Sequence, residues 1–281
     1  MLRDRKPAAL SERSATASAW TTLPAALLGL AALLLLVFRE PLIGTLALAL
    51  GLLGAWWCDA TARSDGLLPD LTAVASGIAV LSLSDLGADL SDSGMVRFTV
   101  VLSASLLVPY ALVRWVFRRE PIVFPWGGWR WNRAQWSYLV VVIVAGYLIL
   151  PWYFLSTGVY RNWPAVHTPA EIARLFVGVN AVGIWDELFF ICTVFALYRR
   201  HFPLWQANLL QAVIFVSFLW ELGYQSWGPL LTIPFALVQG AIFQLTKNLA
   251  YVITVHLLFD LVVFLVLIHG HNPTWPTIFL I

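Results

Sequence analysis

Five ionisable side chains in the last third of the chain stand in stretches that are otherwise apolar: Asp186, Glu187, Glu221, His256 and Asp260. An ionised group near the middle of a bilayer costs about 2.5–3.5 kcal/mol even on a mild insertion scale. Such groups are typical of functional sites, where a partner, a proton or a bound cation offsets the cost. Carboxylates beside an imidazole could ligate a divalent metal or transfer protons in acid–base catalysis.

The spacing of these residues favours one shared site. His256 and Asp260 are four residues apart, so on a helix the carboxylate can hydrogen-bond the imidazole above it. A tight turn between their two helices would put Glu187 and Glu221 at the same depth. Residue counting from the inner turns leaves His256 about 12 Å shallower than Glu187, unless the turn before His256 lies deeper. Apart from Arg174 at the end of one stretch, no lysine or arginine lies inside these stretches, which points to a bound cation rather than to an ion pair.

The composition excludes a water-soluble globule. The 281 residues are 60% hydrophobic and only 11% charged, against roughly 45–50% apolar and about 25% charged in soluble domains. The basic residues are scattered, which argues against a nucleic-acid surface. Cys58 and Cys192 stand in or beside apolar stretches, so we interpret them as buried thiols rather than as a disulfide.

Apolar stretches long enough to cross a bilayer predict an all-α polytopic membrane protein with about nine transmembrane helices. Eight are possible, because Pro69 and Asp70 stand near the start of the third stretch. The last four helices would form the core that carries the ionisable residues. The stretches fall at 19–38, 41–58, 66–83, 97–117, 136–155, 172–198, 204–222, 229–246 and 249–268.

The positive-inside rule gives the orientation. With the N-terminus in the cytoplasm, 13 of the 17 lysines and arginines fall on the inner side and the C-terminus lies outside. The expected location is a plasma membrane, that of a bacterium. The expected domains are a cytoplasmic tail (1–18), N-terminal transmembrane helices (19–117), a cytoplasmic interfacial loop rich in tryptophan and arginine (118–135) and the core (136–281).

The stretch from residue 186 to residue 260 resembles the CPBP family of intramembrane proteases, also called the CAAX-processing or ABI family. The family's motifs are EExxxR, FxxxH and HxxxN or HxxxD. Here they read DELFFI from residue 186, SFLWE from residue 217 and HLLFD from residue 256. Ile191 thus stands where the family has arginine, Glu221 where it has histidine and Ser217 where it has phenylalanine.

The resemblance implies a metal-dependent intramembrane endopeptidase acting on a hydrophobic or membrane-anchored peptide. It makes Glu187 the water-activating base, with Asp186 beside it in the catalytic pair. His256 becomes a metal ligand or oxyanion stabiliser, and Asp260 its orienting partner. The metal ligands would be Glu187, Glu221 and His256, and the expected cofactor is a divalent metal, zinc being the first candidate.

The substitutions at Ile191 and Glu221 leave two other functions open. One is a catalytically inactive family member that serves as a scaffold subunit of a membrane protein complex. The other is a transporter or proton path that uses the same carboxylates. The expected partners are membrane lipids, a hydrophobic peptide substrate and, for the scaffold, other subunits, but not nucleic acid. Structural roles also remain open: a hydrogen-bonded carboxyl pair at Asp186 and Glu187, a His256–Asp260 bond between helices, and a hydrated Glu221.

Overall fold

The computed structural model describes residues 18–280, and within this range the chain forms nine helices and no strands. Of the predicted tail over residues 1–18, all but Ser18 lies outside the described residues, as does Ile281. The helices are α1 (Ala19–Val37), α2 (Pro41–Ala60), α3 (Leu67–Ser82), α4 (Asp92–Val116), α5 (Arg133–Thr157), α6 (Pro169–Tyr198), α7 (Leu204–Leu222), α8 (Pro229–Thr246) and α9 (Leu249–His271).

Seven of these helices are long and apolar enough to cross a membrane, and they confirm an all-helical multi-pass membrane protein. Two of the nine predicted spans are helices that fall short of that standard. Helix α3 has 16 residues, which at 1.5 Å per residue covers about 24 Å of a hydrocarbon layer about 30 Å thick. Helix α7 has 19 residues, but Gln206, Asn208 and Gln211 lower its hydropathy.

Local capping explains where the helices begin. Helix α6 starts with a capping box, in which the Thr168 hydroxyl accepts from the Glu171 backbone N–H and the Glu171 carboxylate accepts from the Thr168 N–H. Helix α3 is capped by a residue from the end of α2: the Asp59 carboxylate accepts hydrogen bonds from the N–H groups of Leu67 and Leu68 at 3.1 and 2.9 Å. These bonds satisfy donors that have no partner inside a helix.

The helices present an apolar surface to lipid and an aromatic interior to one another. On α5 a stripe of residues spaced four apart is exposed, as lipid contact requires; its members are Trp136, Val140, Val144, Leu148 and Trp152. Both cysteines are buried and free, as predicted. Helix α5 packs on α9, α6 packs on α9, and α7 packs on α8, so the last five helices surround the candidate site.

The aromatic loop between α4 and α5 folds back onto the turn between α8 and α9. The backbone N–H groups of Leu249 and Ala250 donate to the carbonyls of Pro125 and Trp126 at 2.8 and 3.0 Å. With its first N–H groups satisfied by protein, α9 can begin below the membrane surface. The offset of about 12 Å expected from residue counting does not occur, because His256 directly contacts its partner on α6.

Candidate functional site

The centre of the site is a buried pair, Glu187 on α6 and His256 on α9. Glu187 is 0% exposed and His256 is 3% exposed. The Nδ1 atom of His256 lies 2.7 Å from Oε1 of Glu187. The same carboxylate oxygen accepts from the side-chain amide of Gln239 at 2.6 Å. An ionised carboxylate oxygen can only accept, so when Glu187 is charged Nδ1 of His256 is the donor and the hydrogen of a neutral imidazole lies on that side.

The opposite nitrogen of His256 faces two more carboxylates. Its Nε2 atom lies 3.6 Å from Oδ2 of Asp186 and 3.9 Å from Oδ1 of Asp260. These separations exceed a direct hydrogen bond. Within residues 18–280, one carboxylate oxygen each of Asp186, Glu187 and Asp260 is buried without a hydrogen-bond partner. The cluster therefore has unused capacity to bind a reacting molecule.

A change of helix type falls between the two adjacent carboxylates of α6. Helix α6 is α-helical as far as Asp186 and continues as a π-helix from Glu187 to Phe195. In this wider turn, the Thr193 hydroxyl donates to the Leu188 carbonyl five residues earlier. Asp186 faces Nε2 of His256 and Glu187 faces Nδ1. Segments of π-helix inside α-helices are rare and occur often at functional sites.

A glycine on α6 allows α9 to come close enough for this contact. Gly183 is one turn before the carboxylate pair, and a Cβ atom built on it would overlap the Asp260 carboxylate and lie 3.3 Å from Cδ2 of His256. Phe235 on α8 closes the other side of the imidazole, with ring centroids 4.9 Å apart at a steep angle. The position of His256 is therefore determined by packing as well as by hydrogen bonds.

A cavity of about 350 Å³ connects the cluster to the membrane. Most of its wall is apolar and comes from α4, α6, α7 and α9, while Asp186, His256 and Asp260 provide polar atoms at its base. The lining includes Thr99 on α4 and Ala181 on α6, which are exposed, so the cavity opens sideways between these helices. Glu187 is not part of the lining.

One end of the cavity lies at the loop between α3 and α4. Asp89 in this loop lines the cavity. The backbone N–H of Ser91, 2.9 Å from the carboxylate, and the Ser91 side chain hold the pKa of Asp89 below its ordinary value. Asp89 therefore remains charged at neutral pH, and the Arg97 guanidinium lies 3.8 Å from it.

Glu221 does not join the cluster, contrary to the prediction. Arg39, in the turn between α1 and α2, donates from Nε to Oε2 of Glu221 at 3.0 Å, and a second guanidinium nitrogen contacts Oε1. The sequence analysis predicted that Glu221 would lie at the depth of Glu187 and that no lysine or arginine would pair with these carboxylates. That inference considered only the last helices, whereas the cation comes from the first helical hairpin.

The predicted metal ligands are not brought together. Among residues 18–280, no group of three or more His, Cys, Asp or Glu side chains is arranged to hold a metal ion. Glu221 is paired with Arg39, and Nδ1 of His256 is hydrogen-bonded to Glu187. The set Glu187, Glu221 and His256 therefore does not fit a metal, and we correct it. Zinc stays a prediction without a ligand set in the described part of the chain.

Sequence reasoning missed two residues that contact the predicted ones. Gln239 is an amide in the apolar middle of α8, and a polar side chain expected to be buried there signals that it has a partner. Arg39 stands at a turn where a basic residue is unremarkable, so only the fold reveals its role. Of the five predicted residues, the structure brings together Asp186, Glu187, His256 and Asp260.

The fold and the site define a multi-pass membrane protein with a buried carboxylate–imidazole cluster open to a lipid-facing cavity. Residues 168–262, about a third of the chain, match the family described as type II CAAX prenyl endopeptidase Rce1-like. This segment, which includes α6 to α8 and most of α9, is therefore an Rce1-like domain of the CPBP type. Comparison with curated proteins and with solved structures found no significant match to either.

Proposed function

We propose that the chain is an intramembrane peptidase of the CPBP type that hydrolyses an amide bond in an apolar or membrane-anchored peptide. One observation carries this proposal: the buried His256 is held at Nδ1 by a carboxylate, while its Nε2 faces a cavity beside two further carboxylates. An imidazole oriented in this way activates nucleophiles in unrelated hydrolases. The Rce1-like segment implies a protease-like protein and supports the same conclusion.

The geometry favours different roles from those that the resemblance implied. Glu187 lies behind the imidazole and does not reach the cavity, so we assign it as the orienting partner of His256. His256, through Nε2, becomes the general base. Asp186 and Asp260 flank Nε2 and would hold the water and the attacked carbonyl group.

The proposed reaction uses only groups of the chain and a water molecule. Nε2 of His256 takes a proton from water while the water oxygen forms a bond to the carbonyl carbon. The amide C–N bond then breaks, and the imidazolium returns its proton to the leaving nitrogen. Glu187 stabilises the imidazolium in the interval. The acid form of Asp186 or Asp260 would donate a hydrogen bond to the oxyanion.

For the membrane arrangement, we propose nine crossings with α6 to α9 as the CPBP-like core, since eight crossings, with α3 on one side, would put both termini on the same side of the membrane. The N-terminus lies in the cytoplasm and the C-terminus outside a plasma membrane. The support is that 13 of 17 basic residues then lie on the inner side. The end of the cavity at Asp89 would face outward, and the sideways opening would admit peptide from the bilayer.

An inactive scaffold is the second candidate, favoured by the two substituted motif positions. Ile191 is fully buried where the family has arginine, and Glu221 forms an ion pair with Arg39 where the family has histidine. Both residues contribute to packing rather than to the cavity. A protein of this kind would keep its fold and its partner subunits after loss of the Glu187–His256 pair.

The test is cleavage by the purified full-length protein in liposomes. The substrates are a farnesylated fluorogenic peptide and an unprenylated apolar peptide, with products identified by mass spectrometry. We expect Glu187→Gln and His256→Gln to lower turnover about 100-fold or more, and His167→Gln, at an exposed histidine outside the cluster, to leave it unchanged. No cleavage by the unmodified protein, or cleavage that persists in both cluster variants, would refute the proposal. Proton flux across the liposomes without cleavage would support the transport function instead.

A further inference from the structure

We infer that Gln239 is a positioning residue, whose side-chain amide holds the Glu187 carboxylate in the orientation that Glu187 needs to bind His256. Gln239 lies on α8, and none of the three family motifs contains it. Its effect on turnover rests on the proposed peptidase function, whereas its effect on the imidazole does not. The two can therefore be measured separately.

One amide nitrogen connects three helices at this point. Nε2 of Gln239 lies 2.6 Å from Oε1 of Glu187 on α6 and 3.3 Å from the backbone carbonyl of Val252 on α9. A carbonyl oxygen can only accept, so the contact with Val252 determines which end of the amide is the nitrogen. Val252 is one turn before His256. The amide therefore ties the carboxylate of Glu187 to the helix that carries the imidazole.

Gln239 is the main restraint on the Glu187 carboxylate apart from His256 itself. Oε1 accepts from both residues, whereas Oε2 has no hydrogen-bond partner in the part of the chain that the structure describes. Two donors on one oxygen restrict the rotation of the carboxylate more than one donor does. Without Gln239, the proton would no longer be held on Nδ1, and Nε2 would no longer be kept free toward the cavity.

The chain offers a closely matched control in Gln211 on α7. Both glutamines are fully buried, and in both the amide nitrogen donates to one side chain and one backbone carbonyl. In both, Oε1 has no hydrogen-bond partner within residues 18–280. Gln211 donates to Asn208 and to the carbonyl of Ala236, and it does not contact Glu187.

The experiment compares Gln239→Met with Gln211→Met, since methionine keeps the approximate length of glutamine and removes its donors. ¹⁵N-histidine-labelled full-length protein in nanodiscs gives the imidazole nitrogen spectrum, and the His256 signals are identified by their loss in His256→Gln. Turnover and KM are measured on the liposome substrates.

We expect Gln239→Met to shift the His256 nitrogen signals toward a mixture of tautomers and to lower kcat about 10- to 100-fold with KM unchanged. Gln211→Met should leave both readouts as in the unmodified protein. Unchanged imidazole signals in Gln239→Met would overturn the inference, as would equal changes in both variants. If the unmodified protein cleaves no peptide, the peptidase function fails, and the imidazole signals still decide the role of Gln239.

Discussion

Removing either partner of the Arg39–Glu221 ion pair should lower stability by different amounts, because the two side chains are buried to different degrees. The side chain of Glu221 is 10% exposed, whereas that of Arg39 is 52% exposed. Arg39 also lies 3.5 Å from the exposed carboxylate of Asp85. Loss of the arginine leaves a carboxylate with little access to water. Loss of the carboxylate leaves a guanidinium that can be hydrated.

The expected costs follow from this asymmetry. Arg39→Met leaves the mostly buried Glu221 carboxylate without its cation, which costs about 1–3 kcal/mol of unfolding free energy. Glu221→Gln keeps an acceptor oxygen and returns Arg39 to water, so its cost is about 0.2–1 kcal/mol, as for exposed pairs. In the double variant the Glu221 carboxylate is absent, so no unpaired charge remains. Its cost should therefore be lower than the sum of the single costs by about 1 kcal/mol.

The assay is equilibrium unfolding of purified protein in mixed micelles, followed by tryptophan fluorescence and combined with peptide cleavage. Arg97→Met is the control, since Arg97 pairs with Asp89 at 3.8 Å and both side chains are 39% exposed; little change is expected. Equal costs for the two single variants, or strict additivity in the double variant, would refute the structural assignment of the pair. Loss of cleavage in Glu221→Gln at unchanged stability would show that Glu221 has a role in the reaction, as its predicted place among the metal ligands required.

Three further predictions test the site and the fold. Gly183→Ala should lower turnover about 100-fold, because the added Cβ displaces Asp260. Gly178 lines the same cavity, and a Cβ atom built on it meets nothing within 4 Å, so Gly178→Ala should leave turnover unchanged. Equal turnover in the two variants would show that Asp260 does not have to approach α6. Asp70 is buried, and its carboxylate accepts from Arg200 at 3.0 Å. Asp70→Asn should therefore lower the free energy of unfolding by about 3 kcal/mol, the low end for a broken buried ion pair. An unchanged unfolding midpoint would contradict this prediction. Since the predicted ligands Glu187, Glu221 and His256 are not assembled, Glu187→Gln and His256→Gln should leave the zinc content of purified protein, measured by mass spectrometry, unchanged; loss of zinc in both variants would show that these residues bind it.

The helical architecture was predictable because apolar length alone identifies a membrane-spanning helix. Helices α3 and α7 show the limit of that signal. The apolar residues of α3 stop after 16 positions. The amides of α7 face neighbouring helices, as when Asn208 donates to the Leu237 carbonyl on α8 at 2.7 Å. A buried amide and a lipid-facing amide contribute equally to a sequence average, so hydropathy cannot distinguish these cases.

The membership of the cluster was largely predictable, but the role of each member was not. The cost of burying ionisable groups pointed to Asp186, Glu187, His256 and Asp260 as residues that need one another. Which carboxylate meets Nδ1 of His256 depends on how α6, α8 and α9 pack against one another, and periodicity does not reveal that packing. The partner of Glu221 lies 182 residues away in the chain, beyond any argument from spacing.

The helices before the Rce1-like segment complete the site that the segment carries. The matched residues 168–262 supply the imidazole and the carboxylates, but α4 forms the opposite wall of the cavity, and the loop before it places Asp89 at one end. The proposed base and its partners act on whatever peptide the cavity admits. The choice of peptide therefore depends on α4 as much as on the motif residues, and exchanging Thr99 or Leu102 should change which peptide is cleaved while leaving the Glu187–His256 pair intact.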